Sequence, residues 1–481
     1  MDKSIKLTEN LHISRVLTGL WQIADMERDG QTLDPMEAAS AMKPYIESGL
    51  TTFDMADHYG SAETISGTFF KHFKEGKQAQ FLTKWVPKPG KVSPETVRKA
   101  VTDALSKLKK EKIDLLQYHA WSYVDPAWLD TLYELQKLKE EGLIEALGVT
   151  NFDASHLRVA AASGIELVTN QICYSLLDQR AAGDMHEVCK MYGIKILAFG
   201  TLGGGFLSNR WLDKDEPKEL DTWSQMKYKR FIDVTGGWSS YQELLRGINE
   251  VAQKHDSSIT TVATRFILDQ EAVGGVIVGA RLGKSSHIDD TLKIYELKLS
   301  QEEHSQIKSL LAKLEPVPGG CGDEYRKPPF LTASGDLSHH IEQIPPPFES
   351  IDMVGGGKQI MSGTVWEDMA GYCRAVRKGN RISVSGTTAT HGERMIGGSD
   401  PAAQATFVLD KIQGAIESLG GSLEDVIRTR IFVNDINDWE PVARAHGERF
   451  ATIKPANTLV EAKLVGDGYL VEIEAEAEIM S

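Results

Sequence analysis

Residues 113–150 read IDLLQYHAWSYVDPAWLDTLYELQKLKEEGLIEALGVT. The two ends of this stretch, Ile113-Asp114-Leu115-Leu116-Gln117 and Ala146-Leu147-Gly148-Val149-Thr150, are short apolar runs of strand type. Trp128-Glu141 between them carries the apolar spacing of a helix. Strand, crossing helix and strand make a βαβ unit, which sets two strands parallel in one sheet. Working outward, the same alternation recurs. Leu17-Thr18-Gly19-Leu20-Trp21, Thr52-Phe53-Asp54-Met55 and Phe81-Leu82-Thr83-Lys84-Trp85 precede this unit. Val168-Thr169-Asn170-Gln171-Ile172, Ile194-Lys195-Ile196-Leu197-Ala198-Phe199 and Gly275-Val276-Ile277-Val278-Gly279 follow it. With helical stretches such as Glu95-Leu108 and Ser257-Asp269 in between, the pattern predicts an α/β protein whose first domain is a (β/α)8 TIM barrel of about 300 residues. An open doubly wound sheet would need a GxGxxG turn after an early strand, and none is present.

Beyond the barrel the texture changes. Pro316, Pro318, Pro328, Pro329, Pro345, Pro346 and Pro347 fall in one segment with Gly319-Gly320 and Gly322. The expected division is a barrel at 1–315, a Pro/Gly-rich linker at 316–349 and a small domain at 350–481. The Pro-rich segment is either an extended connector or a barrel loop closing over the active site. From Ile360 on, alternating strands return at Arg381-Ile382-Ser383-Val384-Ser385, Thr429-Arg430-Ile431-Phe432-Val433, Thr458-Leu459-Val460-Glu461-Ala462 and Leu470-Val471-Glu472-Ile473-Glu474. Amphipathic helices at about Pro401-Leu419 and Trp439-Phe450 complete an α+β domain of roughly 120 residues.

Composition excludes several classes of partner. The 481 residues hold 53 Lys+Arg against 68 Asp+Glu, a net charge of −15, the opposite of the basic face that a nucleic-acid binder presents. Cys173, Cys189, Cys321 and Cys373 lack CxxC spacing and read as reduced thiols, with no metal site implied. No stretch approaches the roughly 18 apolar residues of a membrane span, and the amino terminus has no apolar signal core. A soluble cytoplasmic protein with no membrane partner is expected.

In a parallel barrel the reacting groups sit at the carboxyl ends of the strands. Three such ends carry ionisable side chains: Asp54 with Tyr59 just beyond it, Lys84, and His119. A buried Lys beside a carboxylate lowers the cost of ionising a nearby phenol, whose ordinary pKa is about 10. Such a phenol suits proton donation to a carbonyl oxygen. Each residue alone has an ordinary packing explanation, but the set on consecutive strands is harder to explain that way.

The stretch Phe53-Asp54-Met55-Ala56-Asp57-His58-Tyr59-Gly60-Ser61-Ala62-Glu63 resembles the signature of the aldo-keto reductases. Lys84, His119, Gly148-Val149-Thr150-Asn151-Phe152, Asn170-Gln171 and Gly279-Ala280-Arg281 follow in the family's order, over about residues 10–315. The resemblance implies a nicotinamide cofactor bound without a Rossmann domain, and a catalytic tetrad of Asp54, Tyr59, Lys84 and His119. In it Tyr59 is the general acid, Lys84 and Asp54 lower its pKa, and His119 orients the substrate oxygen. Thr150, Asn151 and Gln171 match the carboxamide-binding positions. Phe199 takes the place where a Tyr usually stacks on the nicotinamide. Leu202 and Gly203, in the glycine-rich loop after strand seven, match the pyrophosphate site. Gly279, Arg281, Ser285, Ser286 and Asp290 fall at the 2′-phosphate end, where Asp290 replaces the usual Asn. This leans to NADPH, with NADH the alternative.

Trp21, Trp85, Trp121 and Tyr123 are candidate pocket walls or packing residues. Met226-Lys227-Tyr228-Lys229-Arg230 is a basic core inside the unusual insertion Asp213-Tyr241. It is either a solvated charge run or a lid over cofactor phosphates or an anionic substrate.

Ser385-Gly386-Thr387, Arg428-Thr429-Arg430-Ile431-Phe432-Val433, Pro455-Ala456-Asn457-Thr458-Leu459-Val460-Glu461 and Val471-Glu472-Ile473-Glu474-Ala475 resemble the RidA (YjgF-type) enamine/imine deaminases over roughly residues 362–481. This implies a chorismate-mutase-like α+β fold that assembles as a trimer with interface pockets. Tyr372, Ser385, Gly386 and Glu472, the last as water-activating acid, match pocket positions, whereas Asn457 stands where active deaminases have a carboxylate-binding Arg. A neutral or differently anchored ligand is then expected. Alternatively Glu472, Glu474 and Glu476 are one charged face of a strand.

The leading expectation is an NAD(P)H-dependent reductase of a small aldehyde or ketone, homo-oligomeric through the RidA-like domain. The alternatives are a cofactor-sensing scaffold and a tandem imine hydrolase and reductase. A complete tetrad favours turnover, since a sensor could lose it.

Overall fold

A ring of eight parallel strands is the centre of the first unit. Its members are preceded by an antiparallel hairpin of β1 (Ser4–Lys6) and β2 (His12–Ser14). The ring comprises β3 (Val16–Gly19), β4 (Thr52–Asp54), β5 (Gln80–Trp85), β6 (Ile113–Tyr118), β7 (Ile144–Thr150), β8 (Leu167–Cys173), β9 (Lys195–Phe199) and β10 (Val273–Gly279). Pairing of β10 with β3, Val276 opposite Val16 through Gly279 opposite Gly19, closes the barrel. The computed structural model describes residues 2–27, 31–284 and 287–480.

These strands are apolar because inner and outer faces are both covered. Side chains two apart share a face. Inward positions therefore read Leu82 then Lys84 on β5, Leu115 then Gln117 on β6, and Ala146 then Gly148 then Thr150 on β7. The lower layer, Leu17, Leu82, Leu115, Ala146 and Leu197, packs with Leu11 and Ile13 of the hairpin into one buried cluster. The upper layer turns polar, which puts chemistry at one end and stability at the other. Helix starts are capped as their sequences require. Ser93 accepts from Thr96 N before Pro94–Leu108, Ser258 from Thr261 N before Ile259–Leu268, and Ser300 with Glu303 forms a capping box before Gln301–Leu311.

The chain divides into two compact units: Met1–Trp121 with Glu134–Ala154 and Leu167–Glu342, and Ser122–Tyr133 with Ser155–Glu166 and Gln343–Ser481. Residues 316–342 are thus part of the barrel unit.

The second unit holds a seven-stranded sheet in the order β11-β12-β13-β14-β19-β17-β18. Its strands are β11 (Ser350–Asp352), β12 (Lys358–Ile360), β13 (Ala375–Lys378), β14 (Arg381–Thr388), β17 (Val426–Val433), β18 (Ala456–Glu461) and β19 (Val471–Glu478). A small hairpin, β15 (Thr390–His391) and β16 (Arg394–Met395), lies apart. All neighbours in the seven-stranded sheet are antiparallel except β17 and β18. The helix Pro401–Ser418 packs on β14 and β19 and against Trp439–Phe450, burying Phe407, Val408, Leu409, Ile412 and Ile416. On β19, Val471, Ile473, Ala475 and Ala477 are buried while Glu472, Glu474 and Glu476 on the other face are half-buried. Among the described residues no helix is long and apolar enough to cross a membrane.

Candidate active site

Asp54 ends β4, and Lys84 reaches it from the neighbouring β5. Lys84 Nζ donates to both carboxylate oxygens at 2.8 Å and to the Met55 carbonyl at 2.8 Å. Gln171 Nε2, from β8 across the barrel, donates to Asp54 Oδ1 at 2.6 Å and to Gln117 Oε1 at 3.2 Å. Asp54 and Lys84 are 3% and 4% exposed, so their attraction acts in a medium where leaving either alone would be costly. Burial lowers the pKa of Lys84 and Asp54 opposes this.

Tyr59 lies in the turn between β4 and the helix Ala62–His72. Its ring centroid is 5.0 Å from Lys84 Nζ and its edge meets Trp21 at 4.9 Å. Glu27 holds the turn by accepting from Ser61 N at 2.8 Å and from the Ser61 hydroxyl. Gly60, at φ +52°, sits in the left-handed region that favours glycine, with the Glu27 carboxylate against it. The resemblance implies that Lys84 and Asp54 lower the Tyr59 pKa in the reacting complex; with the site closed on itself the other influences are burial and the Asp54 charge. Burial pushes the phenol well up and the negative charge of Asp54 adds to this. The Lys84 ammonium, bonded to Asp54 and Met55, lies 5.0 Å from the centroid of the Tyr59 ring. Tyr59 is therefore held protonated, the state a proton donor needs.

His119, just beyond β6, is 2% exposed. Burial, assisted by the charge of Arg326, lowers its pKa to about 3, so the imidazole is neutral. Its Nδ1 stands 3.4 Å from the Thr150 carbonyl, which can only accept; this fixes the ring proton on Nδ1 and leaves Nε2 an acceptor. Nε2 is buried without a partner among the described residues. Trp121 packs edge-on to the ring at 4.4 Å and is fixed by its own bond to the Pro87 carbonyl at 2.7 Å.

A nicotinamide nucleotide would meet the following geometry at the residues expected to hold it. Thr150 donates to the Gln171 carbonyl at 3.0 Å, so the end of β7 is laced to β8 beside Asp54. Asn151 adopts φ +60°, and its Oδ1 is buried without a partner among the described residues. An unsatisfied buried acceptor beside Gln171 is what a carboxamide donor would meet, and in this respect the residues fit the group. Leu202 precedes the turn Gly203–Gly205, whose three φ angles are +54°, +62° and +92°, open to close backbone approach. Phe199 is half-buried with Lys227 Nζ 5.1 Å from its ring centroid. At the other end Gly279 and Arg281 are exposed, and Asp290 accepts from Lys293 at 2.9 Å. Ser285 and Ser286 lie outside the described residues. No cluster of His, Cys, Asp and Glu suited to a metal occurs among the described residues.

Sequence reasoning missed the residues that wall this site. After the last barrel helix the chain returns over the mouth as Gly320–Arg326. Arg326 Nη1 donates to the Asn151 carbonyl at 2.7 Å, and Gly322 packs so closely on that oxygen that a Cβ would come within 2.0 Å. The Tyr325 ring stands 6.1 Å from His119, and its hydroxyl accepts from Lys227 Nζ at 2.8 Å. A buried charge chain runs from Asp178 to Arg180 (2.7 Å), Glu324 (3.0 Å) and Lys227 (3.7 Å). Within the basic run Met226–Arg230, the three cations are engaged by neighbours while Met226 and Arg230 remain exposed. Lys227 is buried on Glu324 and Tyr325, Lys229 binds Asp233 and Glu216, and Arg230 donates to the Thr332 carbonyl. The visible signal was the charged tetrapeptide Asp323-Glu324-Tyr325-Arg326 inside a Pro/Gly-rich stretch.

In the second unit Arg374, 4% exposed, gathers several expected pocket residues. It donates to the Gly386 carbonyl at 2.6 Å, Thr387 Oγ1 at 2.8 Å, the Ser385 carbonyl at 3.3 Å and the Tyr372 hydroxyl at 3.3 Å. Gly386 admits Glu472: a Cβ there would lie 2.0 Å from Glu472 Oε1. Burial raises the Glu472 pKa, with Arg374 opposing. Asn457 belongs elsewhere, on the edge strand β18, where its amide donates to Thr429 Oγ1 at 2.9 Å and Thr429 meets His446 Nε2 at 2.9 Å. Glu474 and Glu476 are paired with Arg430. Arg374 was not among the expected residues.

Comparison with known proteins follows the same division. Residues 15–312 match the Aldo/keto reductase family and residues 365–479 match Endoribonuclease L-PSP, the RidA/YjgF group. The chain is 24% identical over 333 residues to the NADH-specific methylglyoxal reductase of Escherichia coli, covering 64% of this chain and 98% of that one. The glycerol dehydrogenase AKR11B4 of Gluconobacter oxydans superposes with a TM-score of 0.54 at 24% identity, covering 66% of this chain and 97% of that one, which shows the shared barrel fold. A YjgF/YER057c/UK114-family protein of Mycobacterium tuberculosis is 40% identical, covering 26% of this chain and all of that one, with a TM-score of 0.24. The chain belongs to the aldo/keto reductase family and carries a RidA/YjgF-type domain after its barrel.

Proposed function

We propose that the barrel reduces a small aldehyde or ketone to an alcohol with a reduced nicotinamide nucleotide, NADPH in preference to NADH. The observation that carries this reading is the buried Lys84–Asp54 pair beside a Tyr59 held protonated at the polar end of the barrel. Thr150, Asn151 and Gln171 would hold the carboxamide of the bound nucleotide, and the Gly203–Gly205 turn and Arg281 would receive its phosphates. The bound cofactor supplies the hydride. Tyr59 passes its proton to the carbonyl oxygen as the new C–H bond forms, and regains one from solvent. Lys84, fixed by three oxygens, stabilises the transient phenolate against the cost of ionisation. A small carbonyl substrate agrees with the Escherichia coli relative being a methylglyoxal reductase. The test is loss of reduced-nicotinamide absorbance by the full-length chain over a panel of aldehydes and ketones, with either nucleotide. Tight nucleotide binding with no turnover on the panel would overturn the reading.

We assign the second unit to homo-oligomer formation and to binding a small ligand around Arg374, Tyr372 and Glu472. Asn457 brings no positive charge, so a free carboxylate is not anchored there as in an Arg-bearing deaminase. Light scattering reports the assembly, and ammonia release from enzymatically generated imines reports hydrolysis; a monomer inert to imines would remove both roles. A cytoplasmic enzyme acting on small molecules, without nucleic acid or membrane partners, is the corresponding setting.

A further inference from the structure

Gln117 and Gln171 stand on strands that are not neighbours, β6 and β8, with β7 between them. Their side chains meet because the β7 residue opposite Gln117 is Gly148. A Cβ at 148 would lie 3.3 Å from Gln117 Cγ and 2.2 Å from Thr169 Oγ1, so this level of β7 has no room for a side chain. Both glutamines are buried, at 0% and 2% exposure. The Gln171 backbone is fixed from β7, its carbonyl accepting from Thr150 Oγ1 at 3.0 Å and from Asn151 N at 2.9 Å. The side-chain amide is aimed separately. Its nitrogen donates to Asp54 Oδ1 at 2.6 Å and to Gln117 Oε1 at 3.2 Å, one bond for each of its two protons. A planar amide held by one bond can turn about that bond, and held by two it has a fixed plane. The Asp54 bond points the nitrogen. The Gln117 bond sets the plane, and with it the direction of the Gln171 oxygen on the same carbon.

We infer that Gln117 is a positioning residue of the nucleotide site, acting through the side chain of Gln171 across Gly148. The inference rests on the reductase reading above, in which Gln171 meets the carboxamide of the nucleotide. Gln117 Nε2 has no partner among the described residues, so the contribution of Gln117 to this network is its accepting oxygen alone. An amide that is already aimed binds without the cost of ordering it. The run Gln117, Gln171, Asp54, Lys84 also ties the nucleotide site to the proton-transfer pair through side chains.

The test measures Kd for NADPH and NADH by calorimetry on the full-length chain, on Gln117→Met, on Gln171→Met and on the double variant. Fragments that lack the nicotinamide, 2′,5′-ADP and ADP-ribose, are the internal references. Gln117→Met is expected to weaken the whole nucleotide about three- to tenfold, the size of one hydrogen bond, and the fragments by less than about twofold. In the Gln171→Met background the same change should cost less than about 1.5-fold, because the group it acts on is gone. Gln117→Glu, neutral when buried, keeps the accepting oxygen and should hold the affinity within about twofold of the parent. Unchanged affinity in Gln117→Met, equal loss of nucleotide and fragment, or additive losses in the double variant would overturn the inference. Where a thermal melt shows Gln117→Met to be unfolded, a loss of more than about tenfold in folded Gln117→Glu would overturn it. Binding of neither nucleotide by the parent would instead sink the reductase reading, and this one with it.

Discussion

Gly322 lies against the carbonyl oxygen of Asn151, so close that any β-carbon at 322 would come within 2.0 Å of it. The same oxygen accepts from Arg326, and Asn151 itself is held at φ +60°. A non-glycine residue in the left-handed region costs about 1 kcal/mol or more and persists only when its surroundings insist on it. Here the surroundings are the segment after the barrel. Gly322→Ala, at φ +82° and without room, is expected to displace Asn151 and weaken NADPH binding about tenfold, with about 1–3 kcal/mol lost in stability. Nucleotide titration by tryptophan fluorescence, alongside a thermal melt, checks this; unchanged affinity would separate the segment from the cofactor site.

Replacing Tyr59 by Phe removes the proposed proton donor and nothing that holds the Lys84–Asp54 pair together. Carbonyl reduction should fall by roughly 10²–10⁴ while nucleotide affinity stays within about twofold. Steady-state rates and a binding titration on the same preparation decide it. Retained turnover would show that another group protonates the alkoxide.

The pH dependence carries its own signature. With His119 lowered to about 3 by burial, the imidazole stays neutral throughout the working range. Tyr59 is shifted upward, so the acid form persists past the ordinary phenol value of about 10. Reduction should accordingly run flat from about pH 5 to 9, with a loss only on the alkaline side. An inflection near the ordinary histidine value of about 6.5 would place a titrating imidazole in the mechanism instead.

Lys411 is a stability test in the second unit. It is 5% exposed, and its ammonium donates to the Thr390 carbonyl at 2.7 Å. Burial, with the charge of Arg374, lowers its pKa to about 7 against Glu367. The unfolded chain therefore binds the extra proton between about pH 7 and 10.5, and stability rises with pH across that window. Lys411→Met should be more stable than the parent by a few kcal/mol below pH 7, less the bond lost to Thr390, and the advantage should vanish above about pH 10.5. Urea melts at several pH values measure the difference; a pH-independent effect would mean that Lys411 titrates normally.

The barrel was legible because its strands are short apolar runs between long periodic helices. The run ending in Lys84 became β5, Gln80–Trp85, and that ending in Thr150 became β7, Ile144–Thr150. Period-two alternation also brings Asp54, Lys84 and His119 to one end once the ring closes. The hairpin β1–β2 went unseen because three-residue strands have too little pattern to register. Tyr325, Glu324 and Arg326 were hidden by composition: proline and glycine mark a segment as irregular, which left open whether it was a connector or a loop over the barrel mouth and singled out none of its side chains. Arg374 was passed over because nothing in Tyr372-Cys373-Arg374 distinguishes a buried guanidinium from a surface one.

The return of residues 320–326 across the barrel mouth changes where this gene can be cut. A boundary drawn after Leu314, where periodicity ends, would yield eight strands and an intact Lys84–Asp54 pair with no Tyr325, no Arg326 and no partner for Lys227 inside the fold. Such a fragment would lose the contacts of Gly322 and Arg326 on the Asn151 carbonyl, and with them the support of the proposed nucleotide site. Any graft that replaces the chain after the barrel must therefore splice beyond Glu342, since residues 320–326 belong to the barrel unit and cover its mouth.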